Sequence, residues 1–483
     1  MKTPWQRLGF RETPYNSQPL ASNADDAVLH VGRNAQSAQF LAQVECRDGC
    51  VLVVSGDAGL GKTSFLNVLQ YRIRMGEASI SKRLMPCYRM TTAEQDTTPS
   101  QLARRIAHNL VASLEIEAKF RRQDLPPNVR KIRDWLSHEG VEAGRALGFQ
   151  IAGMGAEMER SIAVTAVAEA TVENWRDILE TLANSVKSVE GFHGAFVCID
   201  NAETLSVKEL TKILMVYRDT LFQIPGIWWV IVGQKNLYAQ IERENNRVSQ
   251  RIRGSGIEIP PLSLAELHLL VETRVKTLRE KVDAKSPFSA EVHGLLMDAS
   301  CGQPRYVLSA GDELFVELIG NLLETIEKPG STHGAAREFR DKMVDEALQQ
   351  VLKDNQVPDG PALGFLRQSV ERRLNAKGLV GPSLAILKAI AEHPVHVTVR
   401  ADEIEVPGLA NEALMEALEL LAGSDLLFAS EFDGKTCYQL KGDAWFCNHF
   451  DLWDAIKPPT RPMKPSKQSP RPLKTSKRAS RKS

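Results

Sequence analysis

Cys50-Val51-Leu52-Val53-Val54-Ser55, followed directly by Gly56-Asp57-Ala58-Gly59-Leu60-Gly61-Lys62-Thr63-Ser64, decides the fold. The first six residues are a short apolar, β-branched run bounded by glycine, which is how a strand buried on both faces of a parallel sheet reads. The residues Gly56 to Thr63 fit GxxxxGK[ST] between that strand and a helix predicted from about Lys62. Glycines let the backbone wrap an anion with its N–H groups turned inward, and the helix N-terminus behind them adds partial positive charge. Gly56 to Ser64 are therefore candidate phosphate-binding residues. Lys62 is expected to reach β- and γ-phosphates and Thr63 to set its hydroxyl on Mg²⁺, so ATP and Mg²⁺ are the ligands this stretch calls for.

Working outward, the chain alternates strands and helices. An amphipathic helix is predicted over 34–46, a second strand over 83–90, and a helix over 100–114. Another helix is predicted over 174–189, followed by a buried strand at Ala195 to Ile199 that ends in Asp200. A helix over 206–222 and the strand IWWVIV, 227–232, continue the series. Strands separated by helices of this length imply an α/β fold with a parallel sheet and helices on both faces. After Pro260-Pro261 the pattern turns helical, as a lid subdomain would.

Five further positions carry chemistry. Asp200, at a strand end, can hold the metal's water shell opposite Thr63. The next residue is Asn201, which hydrogen-bonds water but cannot take its proton, so Glu203 is the alternative base, set against a reading as a solvated helix-start carboxylate. Asn236, in Gly233-Gln234-Lys235-Asn236 after the IWWVIV strand, is a candidate γ-phosphate contact or an ordinary loop residue. Arg305, in Gly302-Gln303-Pro304-Arg305, opens a lid helix, where a cation opposes the helix dipole; that placement favours a reach back over the phosphates. Arg251, with Arg253 as its alternative, is a candidate finger into a neighbouring subunit's site, which would require a homo-oligomer.

Charge is distributed unevenly. Residues 457–483 hold ten basic residues and no acidic one, leaving 50 basic against 60 acidic residues over 1–456, a formal balance of −10. Such a tail has nothing to bury and is expected to be disordered, and it suits sequence-independent DNA association or docking to a partner. The helix predicted over 411–423 carries Glu412, Glu416 and Glu419 and no Lys or Arg, so it is ill suited to phosphate. Seven cysteines lack metal-finger spacing and read as reduced thiols of a cytoplasmic protein. No window reaches the roughly 18 apolar residues of a membrane span.

With these elements in order, residues from about 30 to 320 resemble the AAA+ superfamily. Within it they resemble the branch of origin-recognition-type initiators, transposition and secretion ATPases and STAND signalling ATPases. His30-Val31-Gly32-Arg33 looks like the box before the phosphate loop, and Asn236 and Arg305 look like the two sensors. Pro4-Trp5 to Pro14-Tyr15 looks like the leader of bacterial mobile-element and defence ATPases. Asn201 departs from the usual glutamate, which implies an ATPase with slow hydrolysis.

The resemblance implies a C-terminal winged helix, and the predicted order of two helices and a hairpin centred on Phe432-Asp433-Gly434-Lys435 agrees. The expected layout is a leader (1–30), an α/β subdomain (31–260, with an insertion at about 116–175) and a lid (261–325). A helical linker (326–379), a winged-helix-like domain (380–456) and the basic tail (457–483) follow. The implied activity is an ATP-controlled switch in transposition, replication initiation or defence; the alternative is a signalling adaptor that recruits a protein effector.

Overall fold

The structure is a computed structural model describing residues 2–137, 170–189, 191–326, 344–346, 348–350, 361–377, 379, 381–393, 398–432 and 435–456. Residues 138–169 of the insertion expected at about 116–175, much of the helical linker expected at 326–379, the turn residues Asp433 and Gly434 and the basic tail lie outside them. The chain divides into two compact units, residues 1–365 and 366–483.

The first unit is built on a parallel sheet. Its strands are β1 (Cys50–Ser55), β2 (Leu84–Met85), β3 (Thr91–Thr92), β4 (Gly194–Asp200), β5 (Ile227–Gly233) and β6 (Ile257–Glu258). Their order is β2-β4-β5-β1-β6, with β3 also on β4, so β5 separates β1 from β4 at its register of Leu52 with Val230 and Val197 with Trp229. Alternate residues of β1 serve two cores. Val51 and Val53 pack with Trp229 and Ile231 on one face, under the helices Pro99–Arg121, Val172–Lys187 and Val207–Asp219. Leu52 and Val54 pack with Phe40 and Phe65 on the other, under Asn34–Glu45 and Lys62–Met75. Burial on both faces is the physical reason these strands are continuous apolar runs.

Helix starts are fixed by side chains. Thr98, Thr171, Ser206 and Ser263 each close a capping box at the head of a helix. The lid follows as Leu264–Leu278, Ala290–Asp298 and Pro304–Ile326.

Two expectations need correction. The strand foreseen over 83–90 holds only β2, Leu84–Met85, and β3 follows beyond it at Thr91–Thr92. Between them Cys87 N donates to Gln70 Oε1 at 2.7 Å and Tyr88 N to Ser113 Oγ at 3.3 Å, side-chain acceptors that replace the ladder's carbonyls. The helix expected over 100–114 runs on to Arg121, and Pro127–Ser137 beyond it buries Val129, Ile132, Trp135 and Leu136. The leader, of which only the bounds are expected from the sequence, packs on the lid. Trp5 stacks on Phe315 with centroids 3.9 Å apart, Tyr15 Oη meets Ser286 Oγ at 2.8 Å, and Arg11 N donates to Leu278 O, all against the lid.

The second unit has an antiparallel sheet in the order β7-β9-β8, from β7 (Val399–Arg400), β8 (Leu427–Phe432) and β9 (Lys435–Leu440). Its helices are Pro382–Glu392, Asn411–Gly423 and Gly442–His449. This unit starts earlier than residue 380 because Arg373 and Lys377 both pair with Asp443, at 2.7 Å and 3.3 Å.

Candidate functional site

The glycine loop leaves β1 at the sheet's C-terminal edge. Gly56 must be glycine: its φ is 152° and a Cβ there would stand 2.7 Å from Ile259 O. Gly61 sits at φ 85° as the N-cap of helix Lys62–Met75, and a Cβ on it would meet nothing within 4 Å, so the loop's inner side is open. The first N–H groups of that helix have no intrahelical acceptor and face an anion position.

Lys62 Nζ donates to Gly56 O at 2.7 Å and Asp57 O at 3.1 Å, holding the ammonium under the loop. Burial lowers its proton affinity, while Glu203, Asp200 and Asp57 raise it and Arg305 opposes them. Thr63 Oγ1 donates to Asp200 Oδ2 at 3.2 Å, bridging helix and β4 across the end of β5. Asp200 Oδ1 accepts from Asn201 N at 2.9 Å.

One hydroxyl and one carboxylate suit Mg²⁺, which keeps most of its waters and takes other ligands from substrate phosphates. Among the described residues no cluster of three or more His, Cys, Asp or Glu could cage a metal. Any metal held by these two groups would therefore depend on phosphate.

The loop opens into a cavity of about 140 Å³ that Lys62, Thr63, Asp200, Asn201, Glu203 and Arg305 all line. Asn201 adopts a left-handed φ of 55° and Glu203 sits in the 3-10 turn Ala202–Thr204. Arg305 N donates to Gly59 O at 3.3 Å, so the lid helix starts directly on the loop.

Two sequence candidates lie elsewhere. Asn236 is exposed, at φ 63°, as the N-cap of helix Leu237–Glu244, and it does not line the cavity. Arg251 is exposed at the opposite edge of the sheet: Ile252 bridges Val51, near the start of β1, and Arg253 N donates to Val51 O. Arg253 is the more enclosed of the pair, its Nε buried.

Sequence reasoning missed the far half of the cavity. Leu20 N donates to Ser64 Oγ at 3.1 Å, and Asn67 Nδ2 donates to Leu20 O at 2.8 Å, which seats the leader on the phosphate-loop helix. Arg33 is buried; its guanidinium donates to Pro260 O and to Leu60 O, the second at 3.1 Å, tying the loop to the start of the lid. Burial lowers its pKa to about 10, with Glu266 opposing. His30 beside the cavity is pushed down to about 4, first by burial and then by Arg72 and Arg33. Arg274 also lines the cavity. Its signal was available, because it falls in register with Leu267, Leu270, Val271 and Leu278, the buried stripe of helix Leu264–Leu278.

The sheet order and the loop define the class: a P-loop α/β sandwich with a helical lid, followed by a second α+β unit. Solved structures similar to this chain include the Aeropyrum pernix ORC2 protein in ADPNP-ADP complexes, at 14% identity and TM-score 0.40 over 92% of this chain and 97% of that one. Drosophila ORC bound to DNA is similar at 12% identity and TM-score 0.35 over 93% and 92%. Cdc6p from Pyrobaculum aerophilum is similar at 14% identity and TM-score 0.35 over 90% and 98%. No family model and no curated protein sequence matches the chain.

Proposed function

We propose that this chain is an ATP-binding AAA+ switch that couples nucleotide state to self-assembly and to nucleic-acid association in a bacterial DNA process such as transposition, replication initiation or defence. The observation that supports it is the gathering of Lys62, Thr63, Asp200, Glu203 and Arg305 around one open glycine loop. In this reading Lys62 and Arg305 neutralise the β- and γ-phosphates, and the backbone of Gly56 to Ser64 wraps them. Thr63 and Asp200 hold Mg²⁺, which would neutralise charge on the transferring phosphoryl group. Glu203 accepts the proton of the attacking water, a task Asn201 cannot perform, and hydrolysis is slow because Asn201 stands where the usual glutamate would.

Arg251 is too far round the sheet to serve its own cavity, which favours service to a neighbouring copy's site and hence a homo-oligomer. Asn236 would contact the terminal phosphate only after its loop turns inward. We read the second unit as a winged helix whose acidic helix Asn411–Gly423 avoids DNA, so the basic residues of 457–483 are the DNA-associating segment. No helix among the described residues is long and apolar enough to cross a membrane, in keeping with a cytoplasmic role.

The second reading is an adaptor that recruits a protein effector. It is favoured by Leu420, 69% exposed, and Met415, 40% exposed, on the same helix as three glutamates. Size-exclusion chromatography and DNA retention with ATP, ADP and no nucleotide, on the full chain and on a chain ending at Ile456, separate them. The switch requires ATP to change assembly and truncation to lose DNA. Unchanged assembly in all three states, with a co-purifying protein lost on truncation, leaves the adaptor.

A further inference from the structure

The wall of the cavity opposite the glycine loop contains a charge that the fold does not explain. Arg274 is 4% exposed and sits where the apolar stripe of its helix calls for a Leu or Val. Its Nη1 donates to Asn16 O at 2.8 Å, but its Nε is buried without a hydrogen-bond partner. No carboxylate among the described residues forms an ion pair with it; Asp26 and Glu12 act only at a distance, and burial draws its pKa down to about 10. A buried cation held by one carbonyl and missing an acceptor is costly unless another acceptor arrives.

The position says what arrives. Leu20 is fixed to Ser64 at the first turn of the phosphate-loop helix, and Asn16 lies four residues back along the leader. Four residues of chain span at most about 14 Å, which keeps Arg274 within the reach of a nucleotide whose phosphates lie on the glycine loop. The surrounding wall is Leu20, Leu29, Val31, Leu270 and Leu308, apolar surfaces that suit a flat aromatic ring with few polar contacts.

We propose that Arg274 recognises the nucleobase, its guanidinium donating to a ring nitrogen of adenine. A guanidinium only donates, so its partner must be N1, N3 or N7 and not the exocyclic amine. Leu270, one turn before it, and Leu20 cover the ring faces and keep water from competing. The inference rests on the nucleotide reading above.

The test measures binding of ATP, of 1-deaza-, 3-deaza- and 7-deaza-ATP, and of 2′-deoxy- and 3′-deoxy-ATP to the wild-type chain, to Arg274→Met and to Arg274→Lys. The expected result is that one deaza analogue binds the wild type roughly tenfold or more weakly than ATP. Arg274→Met should bind ATP weaker by a similar factor and no longer distinguish that analogue, while Arg274→Lys recovers part of the loss. Equal binding of all three deaza analogues and ATP to the wild type overturns the proposal, even if Arg274→Met fails to fold. So does an equal analogue penalty in wild type and variant, or a coupling with a deoxy sugar instead of a ring nitrogen. Wild-type protein that binds no ATP defeats the nucleotide reading itself; ATP binding without any coupling defeats only this one.

Discussion

The two ends of the cavity are made in different ways. The phosphate end is nine consecutive residues, Gly56 to Ser64, closed by Asp200, Glu203 and Arg305 at element termini. The opposite end is assembled from the leader, from His30 and Val31, and from two lid helices that meet only in the folded chain. A contiguous anion cradle depends on backbone N–H groups and glycine geometry. An assembled wall depends on whatever holds its pieces together, here the aromatic side chains of the leader.

That contrast is sharpest for Trp5, which is stacked on Phe315 and edge-on to Phe10. Trp5→Ala should cost about 4 kcal/mol of stability, read by denaturant unfolding, and ATP should protect the variant less than it protects the wild type. A Trp5→Ala chain with unaltered stability would show that the leader is dispensable to the wall. At the other end, Lys62→Ala removes the charge under the cradle without touching a core. Its expected effect is a loss of about 3 kcal/mol, roughly 100-fold, in ATP affinity by calorimetry, with the melting temperature of the ligand-free chain little changed. Undiminished affinity would end the cradle reading.

A third comparison lies within the phosphate end. Glu203→Gln should reduce ATP turnover by roughly 100-fold with affinity preserved, whereas Asn201→Ala should change it far less; equal losses would return the water-orienting role to Asn201. The smallest effect is in acid. His30 is held near pKa 4 at the cavity, and His293, buried beside Tyr15 and with His268 nearby, is also held near 4, against an ordinary 6.5. The unfolded chain takes up these protons at 6.5 and the native chain only near 4. Stability should therefore be level above pH 6.5 and fall as pH drops toward 4, by about 2 kcal/mol for each imidazole at pH 5. His30→Gln should flatten that slope by about half. An unchanged slope would remove His30 from the account.

Much of this was legible in the sequence, for definite reasons. β1, β4 and β5 announced themselves because a strand covered on both faces has no polar residues to blur it, and the glycine loop because its chemistry is local. The segment around Cys87 was misread because Gln70 and Ser113, far off in the chain, supply its acceptors. Trp5, Phe10 and Tyr15 follow no period, so their burial could not be inferred from spacing. Arg33 stood in a familiar box, yet its work became visible only where Leu60 and Pro260 approach each other. Arg274 was the opposite case, a legible irregularity: a cation on an apolar stripe.

The bond from Arg305 N to Gly59 O gives the lid a fulcrum. The helix that begins there, Pro304–Ile326, is 23 residues long, about 35 Å at 1.5 Å per residue. A tilt of about 10° at the loop would swing its distant tip by roughly 6 Å over that length. Sub-ångström adjustments of a phosphate cradle would then be magnified into displacements large enough to open or shut a contact with another macromolecule.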